Sequence, residues 1–425
     1  MKYSRPLLRH VLIFTLVLGM GSCKERNMNE NSINKNKSAA EFLGHPDYKA
    51  ISYGGYRTLT REDQPSLSQI KEDLKILSAL GIKVIRTYNL QLDQASNILK
   101  AIQALKSQEA GFEMYVMLGA WIDCQGAWSQ NQPNHDIEDQ ENNNSEITKA
   151  ITLANQYPDI VKIISVGNEA MVHWATSYFV RPAVILKWVS YLQTQKAKGN
   201  LPKSLWITSS DNFASWGGGD AAYHNEDLTA LIKAVDYISL HTYPFHDTHH
   251  NSNFWVESQN NTSHLQAKAR IELAVQSAVD YAISQYQGVE SYVESLGVEK
   301  PIHIGETGWA TVSSDLYGPL GTKAADQYKQ ALYYQKMADW TKANGVSCFY
   351  FEAFDEPWKD AAHPLGSENH FGLIDVEGTL KYALWESFDL GVFEGLTRDG
   401  KPLKKSFNGE FERMFNTVKL PKLKK

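Results

Sequence analysis

Cysteine is scarce in this chain of 425 residues, which contains only Cys23, Cys124 and Cys348. Three thiols cannot build a disulfide framework for a chain of this length, so the fold must depend on a hydrophobic core. Hydrophobic residues make up 43% of the chain and charged residues 21%, which is an ordinary globular balance. The composition therefore excludes disorder for the bulk of the chain, and we expect Cys124 and Cys348 to be small buried thiols.

Positive charge is not in excess either, because 42 Lys and Arg face 48 Asp and Glu and give a formal net charge of -6. Such a chain lacks the positive field that holds phosphate backbones, so we expect no nucleic-acid partner. No internal repeat and no second composition regime divide the chain. These absences favour one large domain, and we expect the protein to act as a monomer.

Long hydrophobic runs are also missing, since the apolar stretch at residues 11–21 is shorter than the roughly 20 residues that a bilayer requires. Basic residues precede this stretch, and Gly21-Ser22-Cys23 ends it. The pattern resembles a bacterial lipoprotein signal peptide over residues 1–22, with lipid attached to Cys23. We therefore expect a lipid-anchored protein of the cell envelope, at the outer membrane or cell surface. An ordinary secretory signal, giving a secreted or periplasmic protein, is the alternative.

Composition divides the rest of the chain into three parts. Residues 23–40 are rich in Asn and Lys without apolar periodicity, which predicts a flexible tether. Residues 398–425 are basic and predict an extension that lies on the surface or is frayed. Residues 41–397 remain as a single folded domain.

Within that domain, eight short apolar runs alternate with helical patterns. Several runs are apolar at consecutive positions, as in parallel strands covered on both faces. A helix is predicted from Leu67, with a Ser66-x-x-Gln69 capping box before it and Gly81 after it. Eight alternations predict a (β/α)8 TIM barrel. The predicted strands are residues 49–53, 83–88, 113–118, 161–166, 204–208, 236–240, 301–304 and 347–351.

Two carboxylates follow these strands at opposite points of the predicted barrel. Glu169 comes after the fourth run and Glu306 after the seventh. Because active sites of such barrels form at the C-terminal ends of the strands, the two side chains can converge on one bond. Paired carboxylates that flank a scissile bond are the basic requirement for glycoside hydrolysis. The aromatic share of 11% also suits sugar binding, since aromatic rings form flat platforms.

Five segments resemble glycoside hydrolase family 17, the β-1,3-glucanase and β-1,3-glucanosyltransferase family: GIKVIRTY (81–88), SVGNE (165–169), YPF (243–245), GETGW (305–309) and FEAFDEPWK (351–359). The resemblance implies a (β/α)8 barrel with catalytic carboxylates at the C-terminal ends of strands 4 and 7. The chain departs from the family at Ala310, where Pro is usual, and at the run His241-Thr242-Tyr243.

By this resemblance Glu169 is the general acid/base and Glu306 the nucleophile of a retaining, double-displacement mechanism. Asn168 bonds the sugar 2-hydroxyl, Tyr243 donates to Glu306, and Arg86 helps to keep Glu306 ionised. Trp309 is the implied platform beneath the sugar that is cleaved. The implied glucan-contacting positions are Tyr53, Tyr88, Trp309, Glu352, Glu356, Trp358 and Lys359.

No cofactor and no metal are expected, because the retaining mechanism needs neither. The histidine-rich stretch 246–250 is predicted to be a polar loop at the cleft rim. The favoured function is an endo-acting hydrolase of β-1,3-glucan such as laminarin. A transglycosylase that passes the glycosyl group to another sugar is the close alternative. A non-catalytic glucan-binding lipoprotein is a third hypothesis, which the presence of both glutamates disfavours.

Overall fold

The computed structural model describes residues 37–421. The expected signal peptide, the lipidation site Cys23 and most of the expected tether lie outside these residues. The last part of the expected tether is folded, because a short helix, α1 (Ala39–Phe42), begins after Ser38 and buries Ala39 and Phe42. No helix within residues 37–421 is long and apolar enough to cross a membrane.

Eight parallel strands form a closed barrel, as the sequence predicts. Each strand pairs with its neighbours along the chain, and the ring closes where Ala50 of the first strand pairs with Phe349 of the eighth. All eight predicted runs overlap a barrel strand, and most of the strands begin or end one to four residues from the predicted bounds. The strands are β1 (Lys49–Ser52), β2 (Ile82–Arg86), β3 (Tyr115–Ala120), β4 (Val161–Asn168), β5 (Trp206–Asn212), β6 (Ile238–His241), β7 (Ile302–Gly308) and β8 (Cys348–Phe351).

Helices occupy the intervals between the strands, and a small hairpin of Cys124–Gln125 with Asn134–Glu138 follows β3. The helices after α1 are α2 (Leu67–Ala79), α3 (Gln94–Gln108), α4 (Gln140–Gln156), α5 (Pro182–Ala197), α6 (Glu226–Ala234), α7 (Pro244–His250), α8 (Asn253–Glu257), α9 (Ala267–Ser295), α10 (Gln327–Ala343), α11 (Trp385–Asp389) and α12 (Phe411–Phe415). The described residues also form a π-helix (Ala214–Gly218) and four 3-10 turns (Ala221–Tyr223, Ser367–His370, Tyr382–Leu384, Ser406–Gly409).

The predicted start and end of α2 are confirmed. The hydroxyl of Ser66 accepts a hydrogen bond from the Gln69 amide at 3.3 Å, and the Gln69 side chain accepts one from the Ser66 amide at 2.9 Å. Gly81 follows the helix with a φ of 77°, which glycine adopts without a Cβ clash. These contacts satisfy backbone groups that the helix itself leaves unpaired.

The hydrophobic core has two main layers. The larger one lies between the strands and the surrounding helices, and it includes the buried faces of α2, α3 and α5. The smaller one fills the barrel interior near the N-terminal ends of the strands, where the Phe42 ring stacks on Tyr115 at 4.9 Å. The bottom of the barrel is therefore closed by apolar packing, which leaves the opposite end for polar chemistry.

The chain beyond residue 397 is folded against the barrel rather than frayed. Thr397–Arg398 pairs with Lys401–Pro402, and Lys404–Lys405 pairs with Thr379–Leu380. Arg398 is buried and its Nε lies 3.1 Å from Oδ1 of the equally buried Asp73 in α2. The predicted boundary at 397 cuts through this hairpin, because the basic composition of the segment does not reveal its buried ion pair.

Candidate active site

Two carboxylates meet at the C-terminal ends of the strands. Glu169 directly follows β4, and Glu306 lies within β7. A carboxylate oxygen of one lies within 4.8 Å of a carboxylate oxygen of the other. Glu306 is buried, whereas Glu169 is partly exposed. The structure thus brings together the pair that the sequence predicts.

The end of β4 has an irregular backbone that presents Glu169. Gly167 has a φ of 80° and Glu169 a φ of 47°, both in the left-handed region that only glycine adopts freely. The Glu169 amide donates to the Ser210 carbonyl of β5 at 3.0 Å, which holds the turned backbone in place. Left-handed non-glycine residues cost roughly 1–3 kcal/mol and are concentrated at functional sites.

Glu306 is surrounded by donors on both of its oxygens. Arg86 Nη1 donates to Oε1 at 2.5 Å, and the Tyr243 hydroxyl donates to Oε2 at 2.7 Å. Burial alone would raise the pKa of Glu306, but His241, Arg86 and Tyr243 together outweigh it and lower the pKa. The carboxylate is therefore ionised near neutral pH.

The Arg86 guanidinium also fixes the orientation of Asn168. Its Nη2 donates to the Asn168 side-chain oxygen, while Nη1 additionally reaches the Gly305 carbonyl at 2.8 Å. An amide nitrogen cannot accept a hydrogen bond, so the oxygen must face Arg86 and the NH2 group is left to donate elsewhere. Arg86, Asn168 and Tyr243 thus all lie at the carboxylate pair, as expected.

His241, at the end of β6, bridges the two carboxylates and was not predicted as a site residue. Its Nδ1 lies 3.2 Å from Glu169 Oε1 and 3.6 Å from Glu306 Oε2. Its Nε2 faces the Ser210 hydroxyl at 2.7 Å and Arg86 at 3.2 Å. Because the ionised Glu306 carboxylate can only accept, the Nδ1 atom that faces it carries a proton. The signal available in the sequence was its departure from the usual sixth-strand run.

Most of the predicted sugar-contacting residues lie near the C-terminal ends of β1, β2 and β8. Lys359 Nζ donates to Glu352 Oε2 at 2.9 Å and lies 3.8 Å from the centre of the Phe351 ring. Glu356 accepts from the Trp358 indole at 3.0 Å. The Tyr88 ring packs edge to face with Phe351 at 6.3 Å.

The hydrogen-bond partners of these carboxylates disfavour a bound cation. Among residues 37–421, Glu169, His241 and Glu306 are the group that could offer three ligand atoms to an ion. Both oxygens of Glu306 already accept hydrogen bonds, and the Arg86 guanidinium would repel a cation placed beside them. The donor set fits a hydrogen-bonded carboxylate pair.

A sequence profile of the BtgE/BtgC glycoside hydrolase domain matches residues 50–372, which covers the barrel from the first strand to the eighth. This chain belongs to that family. An endo-laminarinase from Formosa Hel1_33_131 of known structure is similar, with 58% sequence identity and a TM-score of 0.90. The match covers 92% of this chain and 98% of the laminarinase chain.

More distant relatives share the domain or the fold. A probable glucan endo-1,3-beta-glucosidase, btgC of Aspergillus terreus, is 24% identical over 350 residues, which are 80% of this chain and 45% of the relative. The chain thus spans about half the length of the curated relative that it matches. A family 17 beta-1,3-glucanosyltransferase from Rhizomucor miehei has 20% identity and a TM-score of 0.54 over 79% of this chain and 96% of its own, which shows a common fold.

Two predicted sugar-contacting residues of this BtgE/BtgC domain are instead part of its interior. Trp309 is fully buried, and its indole donates to the Ala324 carbonyl at 2.9 Å. Tyr53 is buried as well, and its hydroxyl donates to Asp73 at 3.0 Å. Both predictions were wrong because a residue next to a strand end can turn toward the helices instead of the barrel mouth.

Phe351, which was not predicted as a site residue, packs against a hydrogen-bond partner of Glu306. It ends β8, and its ring packs edge to face with that of Tyr243, whose hydroxyl donates to Glu306, at 6.1 Å between ring centres. No distinct signal marks it in the sequence, since Phe351 reads as one more apolar residue of a buried strand. The histidine-rich stretch is also corrected, because residues 246–250 lie in α7 rather than in a loop, with His246 Nδ1 3.1 Å from the Tyr317 hydroxyl.

Proposed function

We propose that this chain is a retaining, endo-acting β-1,3-glucanase of the laminarinase type. The observation that carries the proposal is the approach of Glu169 and Glu306 to within 4.8 Å, with donors on both oxygens of Glu306. Retaining pairs lie about 5 to 5.5 Å apart, whereas inverting pairs need about 6.5 to 9.5 Å to admit a water. Similarity to an endo-laminarinase at 58% identity supports β-1,3-glucan as the substrate.

In the first step, Glu169 protonates the glycosidic oxygen while the Glu306 carboxylate attacks the anomeric carbon. The bond to the leaving sugar breaks and a bond between Glu306 and the remaining glycosyl group forms. Arg86 and Tyr243 hold the nucleophile ionised and oriented before the attack. The free NH2 group of Asn168 donates to the sugar 2-hydroxyl, a contact that strengthens in the transition state.

In the second step, Glu169 has lost its proton and acts as the base toward an incoming water. The water oxygen attacks the anomeric carbon, its proton passes to Glu169, and Glu306 leaves as a carboxylate. The His241 N–H faces both carboxylates and stabilises the charge that moves between them. A sugar hydroxyl in place of water gives the alternative reaction, transglycosylation.

Digestion of linear laminarin, with separation of products by size and NMR observation of the anomer formed first, tests this proposal. We expect internal cleavage into short oligosaccharides with retained β configuration, and slower action on β-1,4-glucan. Products longer than the substrate would favour the glucanosyltransferase instead. An inverted anomer would contradict the retaining mechanism. A wild-type protein that binds laminarin without cleaving it would contradict the enzyme and favour a non-catalytic glucan-binding protein.

Glu306→Gln and Glu169→Gln separate the two roles. Glu306→Gln is expected to abolish cleavage of every substrate, because no nucleophile remains. Glu169→Gln is expected to lose about 10²- to 10⁴-fold on laminarin, the usual contribution of a general acid. The same variant should lose much less in the first step on an aryl laminaribioside, because a nitrophenolate leaves without protonation.

We further propose that the protein is anchored by lipid at Cys23 and resides in the cell envelope. The proposal is supported by the signal-like residues 1–22 and the small residues that precede Cys23. Expression in a bacterial host with radiolabelled palmitate should label the wild-type protein and leave Cys23→Ser unlabelled. Equal label in both would contradict the anchor.

A further inference from the structure

A cluster of aromatic rings with one exposed member, Trp128, lies outside the residues assigned above. Trp121 follows β3, Trp128 lies in the hairpin region after it, and Tyr178 lies in the loop after β4. The Trp128 ring stacks on Tyr178 at 4.9 Å with an interplanar angle of 21°. Trp121 lies 5.2 Å from Tyr178 and 6.3 Å from Trp128. The three rings form one packed cluster, in which Trp128 is exposed, Trp121 is partly buried and Tyr178 is buried.

The local structure holds Trp128 at the surface instead of burying it. Its side chain belongs to a residue that is 63% exposed, and its backbone φ is 57°. The turn is fixed by the Ser129 hydroxyl, which donates to the Gly126 carbonyl at 2.8 Å, and by the Ala127 amide, which donates to Cys124 at 3.2 Å. An exposed indole in a left-handed conformation adds nothing to the core, so its placement points to a ligand.

Hydrogen bonds hold the other two residues of the cluster, Trp121 and Tyr178, in place. The Trp121 indole donates to Asp123 at 3.2 Å, and the Trp121 amide donates to Glu146 Oε2 at 2.8 Å. The Tyr178 carbonyl accepts from the Cys124 amide at 3.2 Å, which ties the loop after β4 to the hairpin after β3. A rigid aromatic surface binds a sugar with little loss of conformational entropy.

The cluster lies on the Glu169 side of the carboxylate pair. Tyr178 belongs to the loop that begins at Glu169, and the Val180 amide of this loop donates to the Ala170 carbonyl at 2.7 Å. Burial raises the pKa of the Tyr178 phenol, and the nearby Glu169 carboxylate raises it further. In the barrel, β4 is opposite β8, whose end carries Phe351 and Lys359.

The proposed role of Glu169 as the general acid predicts which half of the substrate lies over the aromatic cluster. Glu169 gives its proton to the leaving oxygen, so the leaving portion of the chain must extend over its side of the site. The nucleophile lies on β7, next to β8, so the glycosyl portion extends toward Phe351 and Lys359. A bound glucan chain would therefore cross the barrel mouth from the β8 side to the Glu169 side.

We propose that the exposed ring of Trp128, supported by Tyr178 and Trp121, forms a binding platform for the leaving and accepting portion of the glucan, beyond the bond that is cleaved. This inference rests on the proposed glucanase function and names the sugar units that the platform recognises. The same platform binds an oligosaccharide that replaces water in the second step, so it also sets the proportion of transfer to hydrolysis.

Trp128→Ala tests the platform with two substrates. Laminarihexaose places sugar units on both sides of the cleaved bond, whereas an aryl laminaribioside places only its small aryl group on the Glu169 side. We expect Trp128→Ala to raise KM for the hexaose about 3- to 10-fold, the size of one aromatic stacking contact. KM and kcat for the aryl substrate should stay unchanged, and Trp128→Phe should restore most of the hexaose affinity.

Tyr191→Ala is the matched control, because Tyr191 is an exposed aromatic residue on α5 that packs against Trp188. It should leave both substrates unaffected. With laminaribiose added as acceptor, Trp128→Ala should also release a larger share of hydrolysis product than the wild-type protein does.

Two results would overturn the platform. Unchanged KM for the hexaose would show that Trp128 does not contact the glucan, and an equal change on both substrates would place it on the wrong side of the bond. Both results require a wild-type protein that cleaves laminarihexaose. If the proposed glucanase function were wrong, the wild-type protein itself would not cleave this substrate.

Discussion

The Nδ1 atom of His241 lies 3.2 Å from Oε1 of Glu169, while the same nitrogen is 3.6 Å from Glu306. One imidazole therefore connects the proposed acid and the proposed nucleophile. Its other nitrogen, Nε2, lies 2.7 Å from the Ser210 hydroxyl. The two carboxylates are consequently linked through a buried, oriented donor, and a change at His241 should affect both.

His241→Ala is expected to lower kcat on laminarin about 10- to 100-fold, the cost of losing one hydrogen bond to a charged group. Because His241 also helps to lower the pKa of Glu306, the acidic limb of the pH profile of kcat/KM should move to higher pH. His241→Asn should recover part of the activity, since its amide can donate from the place of Nδ1–H. An unmoved acidic limb in His241→Ala would contradict this role.

Two variants of Arg86 distinguish the effect of its positive charge from the effect of its hydrogen-bond geometry. Arg86→Met removes a positive charge that stabilises the Glu306 carboxylate, so the pKa of Glu306 rises and activity is lost at a higher pH. Arg86→Lys keeps the charge but cannot reach Glu306 and Asn168 together as the guanidinium fork does. We expect Arg86→Lys to lower kcat with a nearly unchanged acidic limb. Equal profiles for the two variants would refute the distinction.

The buried Glu146 should make the folded state more stable at mildly acidic pH. Burial raises its pKa to about 7, above its ordinary value of 4.5. Between these values the folded protein holds a proton that the unfolded chain has released, so stability falls as pH rises through this window. The decrease is at most about 1.4 kcal/mol per pH unit for this group.

Glu146→Gln provides the measurement. Its side-chain oxygen can still accept from the Leu90 and Trp121 amides, which both donate to Glu146 Oε2 at 2.8 Å. Denaturant unfolding at pH 5, 6, 7 and 8 should show a flatter pH dependence for the variant than for the wild-type protein. Parallel curves would show that Glu146 does not titrate in this range.

Arg398 should anchor the C-terminal segment. Its guanidinium lies 3.1 Å from Asp73, which also accepts from Arg57 at 2.9 Å and from the Tyr53 hydroxyl at 3.0 Å. Because Asp73 keeps these two partners when Arg398 is removed, the loss is that of a hydrogen bond to a charged group, about 1.5–3 kcal/mol. Arg398→Met is therefore expected to lower the free energy of unfolding by that amount, whereas Lys404→Met, at an exposed position, should change it little. A loss similar to that of Lys404→Met would contradict the anchor.

The sequence by itself determined the barrel and the location of its chemistry. Strand runs and helix patterns are local signals, because period and capping depend on neighbouring residues. Parallel strands in chain order then require that the residues after β4 and β7 meet at the same end. The positions of Glu169 and Glu306 along the chain are therefore enough to place them together, and their partners Arg86, Asn168 and Tyr243 follow from the family resemblance.

Tertiary structure alone decided the direction in which individual side chains point. Trp309 turns into the interior and Trp128 remains exposed, although both are tryptophans near strand ends. His241 reaches Glu169 across a sequence separation of 72 residues, and Arg398 reaches Asp73 across 325. Such contacts depend on elements that are distant in the chain, and no local pattern encodes them. Their energies arise from burial and hydrogen-bond geometry, which exist only once the barrel has closed.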